Sequence, residues 1–267
     1  MSNLLTIDRV NLNGLVERSF NPIFDLPLGL PVQHQECGVE VHFADLEETL
    51  CRLIRGADRV IGCVSWLTSI PVLDALAGCE AVSVIVQKEE FLRPDLLPGD
   101  GWRKKLRALY GALPGGFDPF SFDLRFTETA PAASIDLGVG LEPVRCCGIV
   151  DKGAANVPRM HHKFFVFFKR LVEPHPMEKE TGRAICIPVA VWTGSFNPSA
   201  NGTRSLDNAV TLIPTWTRDM QGGLLSERGF GDRMMGCVCN QYIEEWARVL
   251  GVSDPLQWEF SDLPEEA

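Results

Sequence analysis

The sequence predicts an α/β protein with a mixed, largely parallel β-sheet flanked by helices. Two observations carry this expectation. From His42 to Leu250, stretches with apolar residues at helical spacing alternate with short, continuous runs of aliphatic and aromatic residues. Helix, strand, helix, strand in that order is the pattern of a sheet covered by helices. The 267 residues suffice for one large domain, and 45% hydrophobic with 22% charged residues is an ordinary globular balance.

Residues 1–36 mix apolar and turn residues without a period ("FNPIFDLPLGLPV") and read as an irregular N-terminal extension packed on a domain spanning 37–267. "FADLEETLCRLIRGA" then places Leu46, Leu50, Leu53 and Ile54 on one helical face and stops at a glycine. "RVIGCVSWL" reads as a buried strand, "SIPVLDALAG" as a short helix with Ser69 as its cap, and "AVSVIVQ" as a second strand. "GWRKKLRALYGALPG" is a helix whose Arg103, Lys104 and Arg107 form one basic face, read first as a solvated face. After a loop-rich stretch between Pro114 and Pro143 come the strand candidates "PVRCCGIV", "KFFVFFK", "AICIPVAVW" and "AVTLIP". A C-terminal helix follows, with Met234, Val238, Tyr242, Trp246 and Leu250 at helical spacing.

Composition narrows the function classes. No apolar stretch approaches the roughly 20 residues needed to span a bilayer, and the N-terminus lacks a signal pattern, so no stable membrane insertion is expected. The nine cysteines are odd in number and several sit inside apolar runs, as reduced core residues of a cytoplasmic protein do. Cys237 and Cys239 could form half of a metal site, but no second pair stands at zinc spacing, so neither metal nor cofactor is expected. The net charge of −10 argues against coating nucleic acid by bulk attraction. Between Asp151 and Arg183, however, seven basic residues stand against four acidic ones. Arg159 and Lys169 of this basic island are candidates to bind an anionic substrate.

Two segments carry chemistry. In "MHHKFFVFFKR", strand alternation gives His161 and Lys163 one face and His162 the other. An imidazole beside an ammonium suits a phosphate: the lysine holds non-bridging oxygens while the ring attacks phosphorus or moves protons. In "VWTGSFNPSANGTRSLDNAVTLI", a strand ends in Gly194-Ser195-Phe196-Asn197, and Asp207-Asn208 opens the next. Glycine followed by small polar residues lets amide groups approach an oxyanion. Asn197 would add a neutral donor, and Asp207 could orient a histidine ring. Taken singly, each has a plain reading as a satisfied histidine, a turn or a strand start; the set in this order is what points to a site.

That set resembles the HKD signature of the phospholipase D superfamily, and "TGSFN…DNAV" is most similar to its small, single-motif nucleases. The resemblance implies a phospholipase D-like fold with one HKD motif per chain. It also implies a homodimer, because the reaction uses two such motifs and His161-x-Lys163 is the only His-x-Lys in the chain. The implied activity is a metal-free phosphodiesterase, foremost an endonuclease on DNA or RNA. In it His161 is nucleophile in one subunit and acid–base in the other, Lys163 and Asn197 stabilise charge, Ser195 and Gly194 support them, and Asp207 holds the histidine tautomer. Phospholipid headgroup hydrolysis and a degraded, non-catalytic binding module are the alternatives. Three departures from the family pattern stand out: Phe168 where the family has aspartate, a longer interval from Lys163 to Gly194, and Asp207 where glutamate is common.

Overall fold

A computed structural model describes residues 38–89, 92, 101–115, 142–149, 158–170, 186–213 and 230–256, together with a two-residue strand pair at 20–21 and 26–27. Apart from that pair (β1, Phe20–Asn21, and β2, Leu26–Pro27), the expected N-terminal extension lies outside the described residues. So do most of the loop between Pro114 and Pro143 and the outer parts of the basic island.

The main body runs β3 (Val39–His42), α1 (Leu46–Arg55), β4 (Arg59–Val64), α2 (Ile70–Ala77), β5 (Ala81–Gln87) and α3 (Gly101–Gly111). It continues through β6 (Val144–Cys147), β7 (Lys163–Arg170), β8 (Cys186–Gly194), β9 (Ala209–Leu212), α4 (Phe230–Leu250) and β10 (Asp254–Pro255). Eight strands form one sheet in the order β10-β6-β5-β4-β7-β8-β9-β3.

The sheet is mixed and flanked by helices, but it is not largely parallel. Only β4–β5 and β5–β6 are parallel pairs, and the other five are antiparallel. The reason lies in the connections. A parallel neighbour needs a long crossover, and helices separate β4 from β5 and β5 from β6. From β7 to β9 each strand pairs antiparallel with the next one in the chain. Continuous apolar runs report burial on both faces, not direction.

Alternation along the strands divides the core into two layers. Phe165 and Phe167 of β7 join Trp192 and the apolar faces of α1, α2 and α3 on one side. Phe164, Val166 and Phe168 face Trp246, Val249 and Leu250 of α4 on the other. Ser69 caps α2 as its sequence predicts, accepting the Val72 N–H at 3.2 Å. In β8, Pro188 has no N–H to give the ladder, and the β7–β8 register shifts there, with Phe167 opposite Ala190 and Phe168 opposite Pro188.

Candidate active site

Four strand ends meet at the middle of one end of the sheet. Val64, the last residue of β4, lies opposite Lys163, the first of β7. Phe164 is opposite Thr193, which sets Gly194 at the end of β8 beside Lys163. Gly194 is opposite Ala209, the first residue of β9. The pairing register thus brings His161-x-Lys163, Gly194-Ser195 and Asp207-Asn208 together, although they are spread over 48 residues of chain.

His161 is exposed and Lys163 half-buried. The Lys163 Nζ lies 3.2 Å from Nε2 and 3.3 Å from Nδ1 of the His161 ring, and donates to the His161 carbonyl at 3.1 Å. The ammonium lies nearly equidistant from both ring nitrogens rather than in line with one lone pair, and its positive charge disfavours a protonated ring. The Lys163 charge holds the His161 pKa below its ordinary value, helped by partial burial, Arg159 and His162. Burial in turn lowers the Lys163 pKa, and the nearby Asp207 carboxylate partly offsets this.

The flanks of His161 are anchored. The N–H of buried Met160 donates to Gln87 Oε1 at 2.7 Å. The His162 carbonyl accepts the Ser65 N–H at 3.0 Å, and the His162 ring pairs with Glu245 Oε1 of α4 at 2.7 Å while packing edge-on to Phe164. His162 is thus turned to the α4 side and His161 is left at the surface. Glu245 is also gripped by Arg248, and these two partners hold its carboxyl below the usual carboxylate range, the Arg248 hydrogen bond first. Glu245 was invisible to sequence reasoning, since nothing in "NQYIEEWARV" separates it from any solvated helix glutamate.

On β8 and β9 the polar groups are tied to each other. Ser195 Oγ donates to Asp207 Oδ1 at 2.7 Å and accepts the Asn208 N–H at 3.0 Å. The Ser195 N–H donates to the Asn208 carbonyl at 3.0 Å. A side chain at 194 would collide with the Asn208 carbonyl and Ala209 Cα, so glycine is required for this approach. Asn197 follows the buried Phe196. Its carbonyl accepts the Ser199 N–H at 2.8 Å, and only a glycine at 202 can pack against that carbonyl. Asn197 Oδ1 is buried with no hydrogen-bond partner among the described residues. Among the described residues the Asp207 carboxylate accepts the Ser195 hydroxyl and makes no hydrogen bond to a histidine ring.

Arg159 lies beside this end, 3.8 Å from Glu89 Oε1, which also accepts the Trp66 indole N–H at 3.0 Å. Lys169 does not lie there. It sits six residues farther along β7, about 20 Å away at strand rise, and its ammonium pairs with Asp58 at 2.9 Å. Assigning Lys169 to the substrate site is therefore corrected; a count of nearby charges in sequence does not see that a strand carries them apart. Phe168 is at the same far end, wholly buried against the α4 layer, with its carbonyl accepting the Asp58 N–H at 2.8 Å. Phe168 therefore lies at the end of β7 opposite to His161 and Lys163.

Among the described residues, no group of three or more His, Cys, Asp or Glu side chains is placed to hold a metal ion, and no helix is long and apolar enough to cross a membrane. Cys51, Cys63, Cys79, Cys146, Cys186 and Cys239 are free and buried, and Cys147 is free and half-buried.

No family model matches the chain. The uncharacterized protein L381 of Acanthamoeba polyphaga mimivirus is 32% identical over 183 residues, which is 65% of this chain and 59% of that protein. The chain thus spans less than two thirds of that relative's length. Among solved structures the fold is similar to NucT from Helicobacter pylori, with a TM-score of 0.45 and 11% identity over 82% of this chain and 99% of that one. It is likewise similar to Nuc from Salmonella typhimurium, a phospholipase D family member, with a TM-score of 0.42 and 13% identity over 83% and 99% of the two chains.

Proposed function

We propose that the chain is a metal-independent phosphodiesterase, an endonuclease on DNA or RNA that works through a phosphohistidine in a homodimeric active site. The observation that carries this reading is the Lys163 ammonium against the His161 ring, which lowers the ring's pKa, at a strand end rimmed by Gly194 and the Ser195–Asp207 pair. A neutral imidazole has the lone pair that attack on phosphorus needs. The ammonium beside it stabilises the charge that grows on the equatorial oxygens, the larger share of such catalysis.

In the first step a His161 nitrogen bonds to phosphorus and the P–O bond to the leaving alcohol breaks. That oxygen takes a proton from His161 of the partner subunit. In the second step the partner's His161 removes a proton from water, the water oxygen bonds to phosphorus, and the N–P bond breaks, returning the first ring to its neutral form. Lys163 and Asn197 bind the non-bridging oxygens. Ser195 is a supporting donor whose hydroxyl Asp207 keeps in place. The homodimer is supported by the single His-x-Lys motif and by Phe43 and Leu206, apolar side chains exposed at the same end of the sheet beside Asn208 and Asp207.

The test is cleavage of plasmid, single-stranded DNA, RNA and phospholipid vesicles in excess EDTA, with His161→Ala alongside. Strand cutting that survives EDTA and needs His161 is expected. Headgroup release without strand cutting would replace the nuclease reading by the lipid one, and an intact dimer inert on all substrates would make the chain a binding module.

A further inference from the structure

We infer that α3 is a docking site for single-stranded nucleic acid, distinct from the catalytic centre; this rests on the nuclease reading and names where the substrate is held. Residues 101–115 contain Arg103, Lys104, Lys105 and Arg107 and no acidic residue, in a chain of net charge −10. Lys104 and Lys105 are exposed. At 100° per residue, Arg103, Lys104 and Arg107 share one arc of the helix surface. The charge there is opposite to that of the chain as a whole and complementary to a phosphate backbone.

The aromatic at the head of the helix supplies the second part. Leu106 and Tyr110 are buried against the sheet, and Trp102 continues their line one turn toward the N-terminus, where its side chain is 52% exposed. The Arg103 guanidinium lies 5.7 Å from the Trp102 ring centroid. A half-open indole flanked by cations is what unpaired bases stack on, and stacking of this kind tolerates any base.

Topology sets this platform at the catalytic end. Pro114, just beyond α3, accepts the Val82 N–H at 2.8 Å, near the start of β5. The helix therefore runs back from the end where β5 finishes toward the opposite end, and its head with Trp102 points to the end that carries His161. The Tyr110 hydroxyl fixes the helix by donating to the Leu67 carbonyl at 2.5 Å, in the segment that leaves β4 at that same end.

A lipid surface fits less well. An interfacial helix buries its apolar face in the headgroup region, and here that face, with Leu106, Tyr110 and Leu113 behind it, packs in the protein core.

The test measures binding of a fluorescein-labelled oligothymidine of about 20 nucleotides, and of a matched duplex, to full-length protein carrying His161→Ala so that nothing is cut. Trp102→Ala should weaken single-strand binding about tenfold, whereas Trp102→Phe should keep most of it. Lys104→Gln with Lys105→Gln should flatten the slope of log K against log salt by about 1.4, two contacts at about 0.7 each. Unchanged affinity and salt slope in all of these overturns the docking site while leaving the nuclease reading intact. Stronger Trp102-dependent binding to phosphatidylserine vesicles than to oligonucleotide also overturns it. Parent protein that hydrolyses bis(p-nitrophenyl) phosphate but binds no oligonucleotide overturns the docking site and the nucleic-acid assignment together, with the phosphodiesterase centre standing.

Discussion

The two ends of β7 are built from similar residues and do opposite things. At the far end Lys169 pairs with Asp58 and Arg170 with Glu80, and Asp58 also accepts the Arg170 backbone N–H. Burial works to raise the Asp58 pKa, but those two neighbours overcome it and hold the carboxyl below the usual range. At the near end Lys163 has no carboxylate within ion-pair distance among the described residues; it faces a histidine ring instead. A cation set against another group that can carry positive charge costs stability, which marks this end as the candidate for function. A strand alone does not distinguish structural from functional charge; the partner does.

The largest expected effect separates two adjacent histidines. His161→Ala should lower phosphodiester turnover on the order of 10⁴-fold. His162→Ala loses the Glu245 pair and the edge contact with Phe164 and should change turnover by less than about tenfold. Comparable losses in both would mean that the anchoring of His162 and the exposure of His161 carry no functional division.

Next comes the buried far end. Phe168→Ala should destabilise the fold by about 3–5 kcal/mol, read as a lower denaturant midpoint, with turnover per folded molecule unchanged. Phe168→Asp, which introduces the aspartate of the sequence pattern this segment resembles, should destabilise at least as much by burying a charge against α4, without raising activity. A gain in turnover from Phe168→Asp would show that position 168 does communicate with the catalytic end.

Lys163 should matter both as a donor and as a charge. Lys163→Gln should cost about 10²–10³ in kcat. The sign of its effect on His161 follows from charge: a positive neighbour disfavours protonation, so the wild-type ring stays neutral below its ordinary pKa, and removing the ammonium raises the His161 pKa. NMR titration of the ring in wild type and Lys163→Gln checks this, and a downward shift in the variant would contradict it. The smallest effect belongs to Lys169→Ala: a half-exposed pair is worth about 0–1 kcal/mol, and strand cleavage should be unaffected.

Most helices and strands were legible because their periods are strong: the apolar line of α1, the Ser69 cap and the run "KFFVFFK" each report a local preference. Strand direction was not legible, since burial on both faces looks the same whichever way a strand runs. The short edge strand Val39–His42 went unseen, as four residues of alternating character give little periodic signal; it is fixed by pairing with β9. At the candidate site, His161, Lys163, Gly194, Ser195, Asn197 and Asp207 stand out as motif residues in the sequence. The roles of Glu245, Gln87 and Ser65 in holding the histidine segment depend on distant contacts that no local pattern announces. Lys169 failed for the converse reason, being close in sequence and about 20 Å away along a rigid strand.

The central claim is that His161, and not its neighbour, becomes covalently bonded to phosphorus. Rapid alkaline quench of the full-length protein with an oligonucleotide substrate, followed by peptide mapping by mass spectrometry, reads this directly. The account predicts a nucleotidyl or phosphoryl adduct on His161 during turnover, absent from His161→Ala and retained in His162→Ala. An adduct on His162, or efficient turnover by His161→Ala protein, would contradict it.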